Sequence, residues 1–240
     1  MDNPGYVGLT RMKGLADEMR AVANNIANMS TTGFRAESVV FAEVMEAARV
    51  DGGALSMAQP RAHVTDQSYG GLTPTGAALD LAIEGSGYFQ VQTPQGNRLT
   101  RAGAFALSPD GEVVDKLGNR LLDAGGAPIL IPPEAGKVRI AQDGTVSDAL
   151  GQPLAEIGLF DADPNSLLRE DGVLFRADGP VQAAEDSRLM QGFLEDSNVD
   201  PVIELTRMIE VQRAYELGQS FLDLEDERMR EAVRTLGRTS

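Results

Sequence analysis

Few side chains in this 240-residue chain are equipped for chemistry. It carries one histidine, no cysteine and no tryptophan, which removes thiol nucleophiles, thiolate zinc sites and disulfides together. His63 precedes Asp66 by three residues, a spacing at which an imidazole and a carboxylate can pair, but the turn-rich surroundings read as a loop with a solvated histidine. Gly85-Ser86-Gly87 lacks the G-x-S-x-G spacing that strains a serine onto a nucleophile elbow; its glycines read as a tight approach to a following strand. Asp110-Gly111 and Asp143-Gly144 miss the ligand spacing and the closing glutamate of a calcium loop. The 36 acidic residues hold pairs that a fold can bring together for glycoside hydrolysis, yet no spacing selects one. A secreted, carboxylate-based wall hydrolase is thus the remote alternative. No catalytic residue, cofactor or metal ligand is assigned.

The informative polar residues are amides. Asn24, Asn25 and Asn28 crowd five positions of a segment that otherwise reads as helix, and asparagine weakens an isolated helix. With Ile26 at heptad position a, they fall at f, g and c. Either they form a solvated face, or they hydrogen-bond to further helices and fix register.

The net charge of −15 and pI near 4.4 repel a phosphate backbone, so nucleic acid is excluded as a partner. No window of about 18 apolar residues spans a membrane as a helix. The segment Met1-Asp2-Asn3-Pro4-Gly5-Tyr6 shows neither the basic nor the apolar region of a cleavable signal, which read alone points to the cytoplasm.

The elements that must place these residues change in period along the chain. Met12, Leu15, Met19, Val22, Ile26 and Met29 step by three and four, a coiled-coil-like seam on a helix from about 8 to 29, about 33 Å long. Ser30-Thr31-Thr32-Gly33 ends it. Asp200-Pro201 is a helix start, a capping carboxylate followed by proline at the first helical position. Met208, Tyr215, Leu222, Met229 and Leu236 then recur every seven residues on a helix of about 54 Å. Leu205, Ile209, Val211, Leu217, Phe221 and Leu224 widen its apolar surface beyond one face. Glu225, Asp226 and Glu231 are spaced for surface ion pairs with Arg228, Arg230 and Arg234.

Between the helices, residues 34–48 read as a helix start. Asp51-Gly52-Gly53, Gln59-Pro60 and the run from Tyr69 to Gly76 mark an extended linker. From 79 onward, short apolar runs alternate with turn pairs: Tyr88-Phe89-Gln90-Val91-Gln92 reads as a strand, Asp143-Gly144 as a hairpin turn, and Ala127-Pro128-Ile129-Leu130-Ile131-Pro132-Pro133 as a strand bounded by prolines. A twelve-residue pattern, D-G-x-V-x-D-x-L-G-[N/Q]-x-L, begins at Asp110 and again at Asp143, which implies two strand–turn–strand units of similar geometry. The expectation is an α+β chain: an N-terminal helix in 1–34, a helix start and linker in 35–78, a mainly-β central domain in 79–192 and a C-terminal helix in 193–240.

Four blocks carry a family resemblance. Ala23-Asn24-Asn25-Ile26-Ala27-Asn28-Met29-Ser30-Thr31-Thr32-Gly33-Phe34-Arg35 closely resembles the signature of the bacterial flagellar rod and hook axial proteins. The resemblance continues at Leu81-Ala82-Ile83-Glu84-Gly85-Ser86-Gly87-Tyr88-Phe89-Gln90-Val91 and at Leu99-Thr100-Arg101-Ala102-Gly103-Ala104-Phe105. It closes with Gly192-Phe193-Leu194-Glu195-Asp196-Ser197-Asn198-Val199-Asp200-Pro201, leading into Met208-Ile209-Glu210-Val211-Gln212-Arg213-Ala214-Tyr215-Glu216. The short middle domain and the tail past Tyr215 resemble proximal rod members most; distal rod members share the terminal blocks. Gly8-Leu9-Thr10-Arg11-Met12-Lys13 departs from the small-residue run usual in the family.

The resemblance implies export through the flagellar type III apparatus without a cleaved signal, against the cytoplasmic reading. It implies polymerisation into a periplasm-crossing tube, with the terminal helices paired as a coiled coil inside and the β domain outside. Implied partners are copies of the chain, neighbouring rod proteins and the export apparatus, with no small-molecule substrate and no membrane insertion. The implied assembly interface is Met12, Leu15, Met19, Val22, Asn24, Asn25, Ile26, Asn28 and Met29 on the first helix. On the last it is Leu205, Met208, Ile209, Val211, Tyr215 and Leu222.

Overall fold

The structure, a computed structural model, describes residues 3–47, 54–184 and 186–236. Two compact units result. One combines both terminal segments with residues 36–66; the other joins residues 28–35 to 67–199.

In the first unit, α1 (Asn3–Ala27) and α2 (Pro201–Leu236) run antiparallel. Gly8 faces Leu222, Gly218 faces Met12, and Glu18 bonds Arg207 at 3.0 Å. The Asp200 carboxylate accepts from the N–H groups of Val202 and Ile203 at 2.9 and 3.1 Å, the capping bonds that Asp200-Pro201 foretells. Surface pairs form between Glu225 and Arg228 and between Asp226 and Arg230. The Leu236 side chain lies outside the described residues.

The helix expected over 34–48 is not there. Glu37–Ala47 is a strand, β1, paired antiparallel with β2, Ala54–Thr65. The run Ser38-Val39-Val40-Phe41-Ala42-Glu43-Val44 is rich in β-branched and aromatic residues, and that propensity overrides the helical spacing. Its entry is fixed from α1: the Asn25 side chain donates to the Glu37 carbonyl and accepts from the Glu37 N–H, both at 2.9 Å, which holds Glu37 extended. The register slips beside Phe41, which faces Pro60 while Val40 faces Ala62; a proline has no N–H to give the ladder and is accommodated at a bulge. His63 thus lies in a strand, opposite Val39, rather than in a loop. Its side chain, and Asp51-Gly52-Gly53, lie outside the described residues.

The second unit is mainly β, with two short 3-10 turns at Pro133–Ala135 and Pro164–Ser166. It includes β3 (Leu72–Pro74), β4 (Leu81–Glu84), β5 (Tyr88–Thr93) and β6 (Gly96–Thr100). β5 pairs with β6, and β4 with Arg188–Gln191. Phe193–Glu195 pairs with β3. Both faces of β5 are covered. Phe89 and Val91 join Leu81, Phe105, Leu121 and Ile129 in the main core, while Tyr88 packs in a second cluster with Leu99 and Phe175. The proline-bounded segment does not form a continuous strand. It makes isolated bridges at Pro128 and Leu130, because three prolines in six residues remove the donors that a ladder needs.

The duplicated pattern is matched in the backbone bonds of its turns. Asp115 Oδ1 accepts from the N–H of Leu117 and Asn119, and Asp148 Oδ1 from Leu150 and Gln152, all at 2.8 Å. Gly118 and Gly151 sit at φ +85° and +82°, where only glycine is unstrained. A third copy, unseen in the sequence pattern, starts at Asp123: its Oδ1 accepts from Gly125 and Ala127 at 2.8 Å, with Gly126 at φ +82°.

Candidate functional site

Charge is rarely buried unless paired, so the three charged side chains buried together in the second unit stand out. The Arg35 guanidinium meets Glu195 at 2.7 Å and the Arg101 guanidinium meets it at 3.1 Å, with all three side chains 2 % exposed. Arg101 also donates to the carbonyls of Ile83 and Gly85 at 3.3 and 2.7 Å. Arg35 donates to the Gln67 carbonyl at 3.4 Å, and the Gly70 N–H donates to Glu195 at 3.3 Å. The Tyr69 ring lies 5.1 Å from both guanidiniums, and the Tyr88 ring lies 5.4 Å from Arg101, so the aromatic faces shield cationic surface that has no carboxylate.

The backbone beneath is held as tightly. The Gly33 N–H donates to the Glu195 carbonyl at 2.8 Å, and Gly33 sits at φ +68°. A Cβ there would lie 2.4 Å from the Arg101 carbonyl carbon. Phe34, fully buried, has the Arg169 guanidinium over its ring at 4.7 Å, and Arg169 donates to the Arg35 carbonyl at 2.6 Å.

Burial presses the Arg35 pKa below its ordinary value, with Glu195 opposing the shift; burial raises that of Tyr88, with Arg101 opposing. A cavity of about 880 Å³ adjoins the cluster, bordered by Asp161, Asp163 and Asp186. Those acids offset the surplus of two guanidiniums over one carboxylate, so the cavity has no net attraction for an anion.

A second ion pair group sits at the edge of the same unit. Glu170 accepts from Arg98 at 2.5 Å and from Arg176 at 2.7 Å. The Arg98 hydrogen bond, then that of Arg176, holds the Glu170 carboxyl below its usual range. A folded pKa below the unfolded value of about 4.3 gives stability that is present above that value and is lost as pH falls through the folded one. Glu170→Gln is therefore expected to flatten the acid limb of the unit's stability curve below about pH 4.3, read from urea midpoints across that range. Identical acid limbs in the two proteins would refute the linkage.

The buried cluster draws one residue from each of three segments that match known families. Residues 6–35, ending at Arg35, match the flagella basal body rod protein family. Residues 82–148, with Arg101, match the flagellar hook protein FlgE/F/G D1 domain. Residues 190–235, with Glu195, match the C-terminal region of the flagellar basal body rod FlgEFG proteins. The chain is 40 % identical to flagellar basal-body rod protein FlgF of Caulobacter vibrioides over 99 % of both chains, and 35 % identical to that of Mesorhizobium japonicum over 100 % of both. It is 32 % identical to flagellar basal-body rod protein FlgG of Bacillus subtilis, over 95 % of this chain and 97 % of the relative. The chain belongs to the flagellar basal-body rod protein family.

In this rod-family chain the residues expected at an assembly interface divide by exposure. Val22, Val211 and Asn25 are buried within the chain. Asn25, expected on a side of α1 turned to other helices, instead spends its amide on Glu37. Asn24 and Asn28 are half-buried, and the Asn28 side chain accepts from the Thr31 hydroxyl at 3.1 Å. Met12, Leu15, Met19 and Ile26 on α1, and Met208, Tyr215 and Leu222 on α2, are half-buried. Together with Glu204, Val211, Gly218 and Glu225, the last three trace a heptad stripe of reduced exposure along α2. Met29, Leu205 and Ile209 are exposed, as are Leu217, Phe221 and Leu224. No helix among the described residues is long and apolar enough to cross a membrane.

The sequence patterns assigned no role to Arg35, Arg101 and Glu195, although each lies inside a quoted block. The available signal was an arginine with uncharged neighbours in two separate blocks, Phe34-Arg35-Ala36 and Thr100-Arg101-Ala102; Glu195 is followed by Asp196 and carries no such signal.

Proposed function

We propose that the chain is a structural subunit of the proximal part of the flagellar basal-body rod, polymerising with copies of itself and with neighbouring rod proteins into a shaft across the periplasm. The shaft transmits torque and encloses part of the export path, and subunits reach it through the type III apparatus. The observation that carries this reading is the apolar face left on α2. Leu205, Ile209, Leu217, Phe221 and Leu224 are each at least half exposed, although α1 already packs on the heptad stripe. Burial at about 25 cal/mol per Å² of apolar surface rewards further helices that cover that face. FlgF and FlgG relatives of near-equal length, named as basal-body rod proteins, support the same reading, with the identities to FlgF favouring the proximal position. The interface comprises the exposed residues of α2 together with the half-buried α1 seam at its ends. The role is mechanical rather than catalytic.

Ile209→Asp tests it. Ile209 is half exposed, so the charge leaves the chain folded while opposing burial of that face. In a strain lacking the wild-type gene, the variant is expected to give no motility and basal bodies without a rod beyond the inner-membrane ring, seen by electron microscopy. Wild type restores both. Normal rods built from Ile209→Asp would remove α2 from the interface, and normal rods in the deletion strain would overturn the function.

A further inference from the structure

One groove of the β unit is unlike the rest of this acidic chain. It has a volume of about 970 Å³ and is lined by Lys137, Arg139, Ala149, Leu150, Phe193 and the 76–78 backbone. Lys137 and Arg139 are exposed on either side of buried Val138, and both line the groove. Among the described residues neither has a carboxylate within ion-pair distance, whereas Arg98, Arg120 and Arg176 of the same unit are paired. The one acid at the lip, Asp148, is tied into its own turn.

Leu150 stands at the tip of that turn, 87 % exposed. The turn does not require it. The copy at Asp123 makes the same bonds with Gly125 in the equivalent place. Leu117, in the same place of the copy at Asp115, is 70 % exposed as well, so both leucine copies present an apolar tip; of the two, Leu150 borders Lys137 and Arg139.

The chain itself carries the complement. Asp223-Leu224-Glu225-Asp226-Glu227 on α2 is its densest run of acids. Asp223, Leu224 and Glu227 are all exposed, and at spacings of three and four they share one face. Asp223 and Glu227 are about 6 Å apart along the helix; Lys137 and Arg139, two residues apart, have Cα atoms no more than about 7 Å apart. Two carboxylates therefore match two cations in spacing, with Leu224 beside them to meet Leu150.

We propose that the Lys137–Arg139–Leu150 groove receives the Asp223–Leu224–Glu227 face of α2 from a second copy of this chain. The contact is heterologous, a groove on one copy against a helix on the next, and repetition of such a contact builds an open filament rather than a closed dimer. It rests on the reading of the chain as a self-assembling subunit and adds a polar contact that shares Leu224, but not Ile209, with the apolar surface described above.

The test is direct binding of a fluorescein-labelled peptide of residues 217–231 to the full chain, followed by anisotropy. Saturable binding with a dissociation constant on the order of 10–100 µM is expected, weakening as salt is raised. K137E/R139E is expected to weaken it at least roughly tenfold, and Leu150→Gly by roughly threefold. A peptide carrying Asp223→Lys and Glu227→Lys is expected to bind K137E/R139E and not the unchanged chain. Absence of saturable binding, binding indifferent to K137E/R139E, or failure of the charge-swapped pair to bind would each overturn the groove. None of these outcomes alters the Ile209→Asp result, which tests the rod function separately.

Discussion

Glu195→Gln is expected to destabilise the β unit by about 3–5 kcal/mol, the cost of removing one partner from a buried ion pair. The shape is nearly unchanged, so packing is not the cause. The substitution removes the carboxylate that bridges Arg35 and Arg101, both 2 % exposed, and turns an amide donor toward one of two groups that can only donate. The Tyr69 and Tyr88 rings shield the guanidiniums but do not neutralise them. For a unit of this size the loss lowers Tm by roughly 10–15 °C. Urea unfolding followed by tyrosine fluorescence measures it, since Tyr69 and Tyr88 are in contact with the cluster. The triple variant Arg35→Met, Glu195→Leu, Arg101→Met supplies the control. With no charge left to strand, it is expected to lose less than Glu195→Gln alone, although the carbonyls of Ile83 and Gly85 forfeit the Arg101 donors. A triple variant weaker than the single one would show that the attraction, rather than the penalty of stranded charge, dominates.

Gly103→Ala is the second large effect, expected to cost about 3 kcal/mol or more, above the usual range for an added methyl group. A Cβ on Gly103 would lie 1.6 Å from the Leu81 carbonyl oxygen and 3.3 Å from the Phe89 ring. Neither can yield: Phe89 is fully buried, and the Leu81 N–H is bonded to the Gly103 carbonyl at 2.9 Å. The chain must part there, and it parts beside the main core. Gly118→Ala separates crowding from backbone strain. Gly118 has φ +85° but nothing within 4 Å of a Cβ, so only the left-handed conformation is penalised, by about 1 kcal/mol. Thermal unfolding of both variants compares them. Equal losses would show that the close approach at Gly103 relaxes freely.

What the sequence reveals depends on whether the determining residues are neighbours. Asp200-Pro201 and the heptads of α2 are local, and the helix begins at Pro201 with both capping bonds in place. The Asp–x–x–Gly turns are local as well, and two of three are legible; the third escapes because Gly125 and Ala127 replace the leucine and amide of the pattern while keeping the backbone bonds. β1 misleads because Val39, Val40 and Val44 also fit a helical period, and the deciding contact comes from Asn25, twelve residues earlier. The Arg35–Glu195–Arg101 cluster is not legible by spacing at all. Its members are far apart in the chain, and burial of charge becomes visible only when strands and turns from distant segments are placed together.

That separation carries a consequence for the order in which the molecule is completed. Arg35 lies near the start of the chain and Glu195 near its end, so their union closes most of the sequence into one loop, with the entropic cost of long closure. A chain that emerges from its first residue onward presents both arginines well before it presents the carboxylate. Until residue 195 arrives, burying Arg35 and Arg101 strands two positive charges, and the β unit has little to gain by closing over them. A chain truncated before Glu195 is therefore expected to leave both guanidiniums without their carboxylate and the β unit open.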